Sequence, residues 1–384
     1  MIDGPFSISC PTEVRFGSGV HEQLISVLPP GTRNVIFVRG ASGLAARPVL
    51  DRLQNAALDV IEITCAKEPG IAGINDLITQ LRGQKSDVVV ACGGGSVIDT
   101  GKALAFCLAH GLRLSDDFSD IPPDLLAKPG PLPLVVLPTT AGTGAEVTSN
   151  AVLDVASKRA KLSLRGRALF AQVALVDPVL MLSAPPHVVL NAGLDALTQI
   201  IEAYTSVAAT PFSDALTSTN VARGLAALRA VTERPDVAGM TDMAWVSLAS
   251  GLALANSGLG AAHGLASVVG GGYAAPHGAL CGRFLIPVLR QNLAQAERGS
   301  DAHHRLMTCH HAIATAFAPL DPDDLLSGLD GWISVQALPR LAAYGMKDSD
   351  FEGLAQQVVV ASSSKKNAVR LDKPHFIHIL QAAL

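Results

Sequence analysis

Asp195 and Gln199 stand four residues apart in a stretch with helical patterning, so both side chains leave one face of a helix. His263 and His277 follow far downstream, on either side of the glycine-rich segment GLASVVGGGYAAP. One carboxylate and two imidazoles make a three-donor set with an open position, the kind of site at which a divalent metal meets a substrate oxygen. A single histidine here would more often be structural than a ligand. The set of three carries the metal expectation.

A second group of residues suits a nucleotide. Gly93–Lys102 reads GGGSVIDTGK directly after the strand-like run Val88–Ala91. Gly93, Gly94 and Gly95 let the backbone turn sharply and approach a ligand without a Cβ in the way. Ser96 is placed to cap the following helix, with Asp99 three residues on as its capping-box partner. Free N–H groups at such a helix start favour a pyrophosphate. Three glycines before a helix can equally be a tight turn alone, and this is not the spaced G-x-G-x-x-G fingerprint. Pro138–Glu146 (PTTAGTGAE) is a second glycine-rich loop after a strand, and it brings the hydroxyls of Thr139, Thr140 and Thr143. Two such loops at neighbouring strand ends form one crevice. A nucleotide cradle together with a metal site points to hydride chemistry at a polarised oxygen.

Other histidines are decoys. His303, His304, His310 and His311 flank Cys309, but their neighbours Glu297, Arg298, Asp301 and Arg305 belong to a solvated helix face. His375 and His378 read as surface or packing residues, and Lys365-Lys366 as a solvated loop.

The elements that must position these residues divide the chain. Asn34–Val38, Val60–Thr64, Val88–Ala91 and Leu134–Leu137 read as strands. Helices are expected over Leu44–Ala57, Ile74–Gly83 and Ser96–Ala109 between them. Strands alternating with helices of this length imply βαβ units and a parallel sheet. Leu112–Pro133 reads as a loop, and Ala151–Val155 and Val173–Val176 as short β runs. After Pro185 the pattern becomes Ala/Leu-rich, with helices expected over Val188–Ser206, Pro211–Ala230 and Met243–Ala255. The boundary therefore falls near Ala184–His187, giving an α/β domain over 1–183 and a helical domain over 184–384.

Composition narrows the class. The chain has 384 residues, 49% hydrophobic and 16% charged, enough for two domains with large cores or a buried oligomer face. A net charge of −4 argues against nucleic acid as the main partner. No run of about 18 apolar residues is evident, so no membrane-spanning helix is expected. The N-terminus lacks the pattern of a secretory signal. Six cysteines without a CxxC pair read as reduced, mostly buried thiols, and a cytoplasmic location is expected.

Taken together, these segments resemble the iron-containing (group III) alcohol dehydrogenases, within the superfamily that also holds glycerol dehydrogenase and dehydroquinate synthase. Arg15–Gly19 (RFGSG), Gly93–Lys102, Pro138–Glu146, Val176–Pro178 (VDP), Gly193–Tyr204 (GLDALTQIIEAY), His263–Gly264 and Pro276–Gly278 (PHG) stand in the family's order across nearly the whole chain. The resemblance implies an N-terminal Rossmann-like, parallel-sheet dinucleotide-binding domain and an all-α C-terminal domain that binds metal and substrate. It implies metal ligands and catalytic residues at Asp195, His263 and His277, and cofactor contacts at Gly94, Gly95, Ser96, Asp99, Thr139, Thr140 and Thr143. A small alcohol or carbonyl substrate and a homo-oligomer, expected to be a dimer, complete the picture.

Three positions depart from the family pattern. Gln199 stands where iron-binding members carry histidine, and a neutral amide oxygen is a weak or indirect ligand. Ser267 replaces the usual second histidine, four residues after His263. The remaining set looks like that of the zinc-dependent glycerol dehydrogenase branch, so Fe²⁺ and Zn²⁺ are both candidates. Arg39 and Ser42 follow the first strand where NAD-preferring members tend to be acidic, so NADP is expected ahead of NAD. The expected activity is reversible hydride transfer between nicotinamide and a small alcohol, aldehyde or ketone. Alternatives are a maleylacetate-reductase-like enzyme, a dehydroquinate-synthase-type lyase and a metal-free nucleotide-binding pseudoenzyme. The lyase is disfavoured because the helical half has few cations near the proposed ligands.

Overall fold

The described residues contain eight strands, and those at the centre of the sheet form where short apolar, β-branched runs are bounded by turn residues. A computed structural model of the chain describes residues 5–65, 68–158 and 160–384. The strands are β1 (Glu13–Phe16), β2 (Asn34–Gly40), β3 (Asp59–Cys65), β4 (Val88–Gly93), β5 (Leu134–Pro138), β6 (Asn150–Val155), β7 (Ala160–Arg165) and β8 (Val173–Val176). Six of them make one sheet in the order β1-β8-β5-β4-β2-β3, and every pairing in it is parallel. β6 and β7 form a separate antiparallel pair.

The central strands β4 and β5 are buried at every residue. Continuous apolar runs of this kind are what a parallel sheet covered on both faces requires. Phe37, Val90, Leu137 and Leu175 lie in one core cluster with Val49 and Leu53 of the helix Arg47–Asn55. Burying each such side chain contributes about 1.5–3 kcal/mol. The helix Gly95–His110 lies close on the sheet because Gly101 has no side chain: a Cβ there would come 2.7 Å from the Ala91 Cβ.

β2 feeds β3 on one side, while β4 feeds β5 on the other. The strand order therefore reverses between β2 and β4. In open α/β sheets, the crevice beyond the carboxyl ends of two such strands is where ligands bind.

Contacts divide the chain into two compact units. One comprises Cys10–Val188 with Pro235–Gly251 and holds the sheet. The other comprises Val189–Arg234 and Leu252–Leu384, with the N-terminal segment through Ser9, and its described regular elements are helical. The fold class is as expected: a parallel-sheet N-terminal region and a helical C-terminal region.

Several elements differ from the sequence expectation. Pro211–Ala230 is two helices, Pro211–Thr217 and Asn220–Glu233, rather than one. The stretch Leu112–Pro133 contains a short helix, Pro123–Ala127. The glycine-rich segment after His263 is largely helical, within Ala261–Gly272. The helix Val237–Ser257 is long and apolar enough to cross a bilayer by length and composition, although no uninterrupted apolar run marks it. With 56% of its most apolar window buried in the fold, it behaves as a core helix.

Candidate metal centre and nucleotide cradle

In the helical unit, three distant segments converge. Asp195 lies mid-way along the helix Pro186–Thr205, His263 lies in the first turn of Ala261–Gly272, and His277 is the first residue of His277–Gln295. Glycines set the spacing. A Cβ at Gly278 would collide with the Asn191 carbonyl and lie 3.3 Å from the Asp195 Cβ, and one at Gly282 would lie 2.6 Å from the Leu194 Cδ1. The backbone of the histidine helix therefore presses directly on the aspartate helix.

The donors of Asp195, His263, His277 and Cys281 all lie within 4.8 Å of one another, and it is the only such group among the described residues. His263 Nε2 lies 3.2 Å from Asp195 Oδ1. Its other nitrogen, Nδ1, lies 2.6 Å from Glu202 Oε2. Glu202 also accepts the backbone N–H of Gly260 at 2.9 Å and of Ala262 at 2.6 Å. Its charge thus sits at a helix N-terminus, where anions are stabilised. A carboxylate on Nδ1–H orients the ring and turns Nε2 inward, where a bound cation would displace its proton, as in metal-bound histidines.

Burial alone would raise the Asp195 carboxyl. The hydrogen bond from His263 and the nearby charges of His277 and His263 hold it below the ordinary value. Burial alone would lower His263, but Cys281, Asp195 and Glu202 hold it well above the ordinary histidine range. Burial pushes the Cys281 thiol up to about 12. Inward-facing imidazole and carboxylate donors backed by a second buried carboxylate fit a divalent cation.

Gln199, one turn after Asp195, is buried, whereas Ser267 is exposed. The sequence reading missed Glu202 and Cys281. Both carried a periodicity signal: Glu202 is seven residues after Asp195, and Cys281 is four after His277.

The decoy histidines need one correction. His304 and His311 are exposed, but His310 is buried, and burial lowers it to about 4. His375 Nδ1 accepts the Asp372 backbone N–H at 3.0 Å and so closes a capping box.

In the sheet unit the two glycine loops meet. The Thr139 backbone N–H donates to the Gly93 carbonyl at 3.0 Å. A Cβ at Gly94 would lie 3.2 Å from Thr140 Oγ1, and one at Gly95 would lie 2.8 Å from Thr143 Cγ2. Gly94 has φ −73°, which any residue adopts, so these glycines are needed for space and not for backbone conformation. A glycine turn at a helix N-terminus, packed closely against a second loop that brings threonine hydroxyls, fits a pyrophosphate.

The expected capping box is absent. Gly94 is the N-cap of Gly95–His110, no side chain caps it, and Ser96 lies inside the first turn. Asp99 instead accepts the Val152 backbone N–H at 3.1 Å. Helix geometry explains this: with Gly95 as the first helical residue the cap position is Gly94, and Ser96 comes two residues after it.

Two charges inside the glycine motifs were quoted in sequence but given no role. Lys102 is fully buried and donates to the Thr148 and Asn150 carbonyls at 2.7 and 2.9 Å, tying the cradle helix to the chain after the second loop. Burial lowers it to about 8, against the opposing charges of Asp99 and Glu146. Burial raises Asp99 to about 6 and Glu146 to about 7.

Arg39 is the penultimate residue of β2, in register with Cys92 of β4, beside the first glycine loop. Its Nε donates to Glu62 Oε2 at 2.9 Å. Ser42 is exposed in the turn that follows.

Comparison with known proteins agrees with this geometry. Residues 11–178 match the family described as iron-containing alcohol dehydrogenase, and residues 189–384 match the C-terminal part of the same family. The chain belongs to the iron-containing alcohol dehydrogenase family.

It is 30% identical over 365 residues to alcohol dehydrogenase 4 of Saccharomyces cerevisiae, covering 94% of this chain and 91% of that one. It is 31% identical to an NAD-dependent methanol dehydrogenase of Bacillus methanolicus, with 85% and 86% covered. Among solved structures, the iron-containing alcohol dehydrogenase of Thermococcus thioreducens superposes with a TM-score of 0.81 at 25% identity, covering 98% of this chain and 99% of that one. This family member is an oxidoreductase acting on CH–OH groups, an NAD-linked alcohol dehydrogenase with a small-molecule alcohol substrate. Membership implies NAD(H) and a divalent metal, for which the converged donors are the candidate site.

Proposed function

We propose that this alcohol dehydrogenase interconverts a small, non-sugar alcohol and its carbonyl compound, with NADP(H) preferred and with Zn²⁺ competitive with Fe²⁺. The convergence of Asp195, His263 and His277 donors within 4.8 Å is the observation that carries it. Relatives named for methanol and 1-propanol support a short-chain substrate. When bound, the nicotinamide supplies hydride and the metal supplies a Lewis acid for the substrate oxygen.

The residues of this chain orient and neutralise. Asp195, His263 and His277 would hold the ion, and Glu202 keeps His263 in the ligating tautomer. Gln199 can add only a weak amide oxygen, which lessens the advantage of iron over zinc. Gly94 and Gly95, with Ser96, Asp99, Thr139, Thr140 and Thr143 around them, would seat the pyrophosphate and its riboses. Ser267 is exposed and its hydroxyl is a poor acid, so a water or the nicotinamide ribose hydroxyl would relay the proton to the product. Arg39 and Ser42 favour a 2′-phosphate, which would compete with Glu62 for the guanidinium.

The test is a panel of short alcohols and aldehydes assayed with NADPH and NADH, with metal analysis of the same protein. His277→Ala should abolish metal retention and turnover but spare nucleotide binding, because the cradle belongs to the other unit. Full turnover by a metal-free, chelated enzyme would reject the metal site. A higher kcat/KM with NADH would reject the cofactor preference.

A further inference from the structure

We propose that Cys281 is a fourth protein ligand of the metal centre, bound through its sulfur. The proposal stands on the metal site proposed above and concerns one more donor of that site.

Three observations support it. The first is placement: Cys281 Sγ belongs to the same group of mutually close donors as Asp195, His263 and His277. The second is the helix that carries it. His277 and Cys281 are one turn apart in His277–Gln295, so both side chains leave one face, and Sγ lies 3.5 Å from His277 Nε2. The third is contrast with the other thiols. Cys92, Cys107 and Cys309 are equally buried, yet none belongs to a comparable donor group among the described residues.

The chemistry of the donors decides between two candidates for the fourth position. Gln199 offers a neutral amide oxygen, a weak donor for a first-row metal. Cys281 offers sulfur, a soft donor that favours zinc over harder alternatives. Ligation breaks the S–H bond and forms a metal–sulfur bond, and the proton leaves to solvent. No oxidation state changes. Zinc can take a fifth donor when substrate joins, so a sulfur ligand is compatible with turnover.

The test uses the full chain, stripped by a chelator and reloaded with Co²⁺ alone. The wild type should show visible ligand-field bands and a near-ultraviolet sulfur-to-cobalt charge-transfer band. Cys281→Ser should keep the first and lose the second, while Gln199→Ala keeps both. X-ray absorption at the zinc edge needs no variant to fold, and it should show one sulfur neighbour at about 2.3 Å in the zinc-loaded wild type. Visible bands without the near-ultraviolet band, or a zinc shell of nitrogen and oxygen alone, would overturn the Cys281 ligand and leave the metal centre standing. Failure to bind cobalt at all would overturn the metal centre itself, and this inference with it.

Discussion

Glu202 holds His263 by its outer nitrogen: the carboxylate lies 2.6 Å from Nδ1 and leaves Nε2 facing Asp195. The same carboxylate closes the N-terminus of the helix that carries His263. One side chain thus orients a ligand and anchors the element that bears it.

Removing that charge should loosen the metal without removing a ligand. Glu202→Gln is expected to weaken metal affinity about 10–100-fold, as substitutions behind metal-bound histidines do. A competition titration against a chromophoric chelator measures this. Wild-type affinity in the variant would show that Glu202 serves the helix end alone.

Gly94→Val tests the cradle. Its branched side chain would begin 3.2 Å from Thr140 Oγ1 and push the second glycine loop away from the first, spoiling the proposed cradle. Cofactor affinity should fall at least tenfold, a loss of about 1.4 kcal/mol, with the far-ultraviolet circular dichroism unchanged. Fluorescence titration with NADPH reads the affinity, and an unaltered Kd would reduce the loop to a turn.

Arg39→Asp should move preference towards NADH, because a carboxylate at the end of β2 repels a 2′-phosphate and can bond ribose hydroxyls. The ratio of kcat/KM values for the two cofactors is the measurement. Glu62 lies beside the substitution and is itself acidic, so the loss of NADPH use should exceed the gain with NADH.

The buried charges of the sheet unit give a pH prediction. Glu146 has a folded value near 7, above its ordinary value of 4.5, so the folded state binds its proton more tightly. Its contribution to stability is present at low pH and is lost as pH rises from about 4.5 to about 7. Asp99, raised to about 6, acts in the same direction over a lower window. Glu146→Gln should therefore flatten the fall in unfolding free energy across that range. Urea denaturation at several pH values checks it, and an unchanged slope would mean that Glu146 is already ionised in the fold.

The sheet was legible because β4 and β5 are unbroken apolar runs between turn residues, and buried parallel strands have no other appearance in sequence. The edge strand β1 (EVRF) went unrecognised because half of its residues are charged. The break after Thr217 falls in the short polar run Thr217–Asn220, between two stretches that both have helical patterning. There Thr217 Oγ1 bonds the Ser213 carbonyl and Asn220 Nδ2 the Leu216 carbonyl, and such side-chain bonds compete with the helix ladder. At the candidate metal site, residue type and motif pointed to Asp195, His263 and His277, whose donors the fold brings together. Glu202 and Cys281 stood at helical spacing from Asp195 and His277, but a carboxylate behind a histidine and a thiol in a helix look ordinary until the helices are brought together. The cap lies two residues before Ser96, at Gly94, an offset that helix-start patterns do not resolve.

The glycines that let the histidine helix rest on the aspartate helix have a consequence for which ions the centre can hold. Where backbone touches backbone, no rotamer can shift to widen the gap, and the reach from Asp195 to His277 is set by two rigid rods in contact. Calcium needs six or more oxygen donors, and this frame offers two imidazoles and one carboxylate at a spacing set by the backbone instead. The missing side chains act as a calliper: the frame measures the ion before any donor has a chance to choose it.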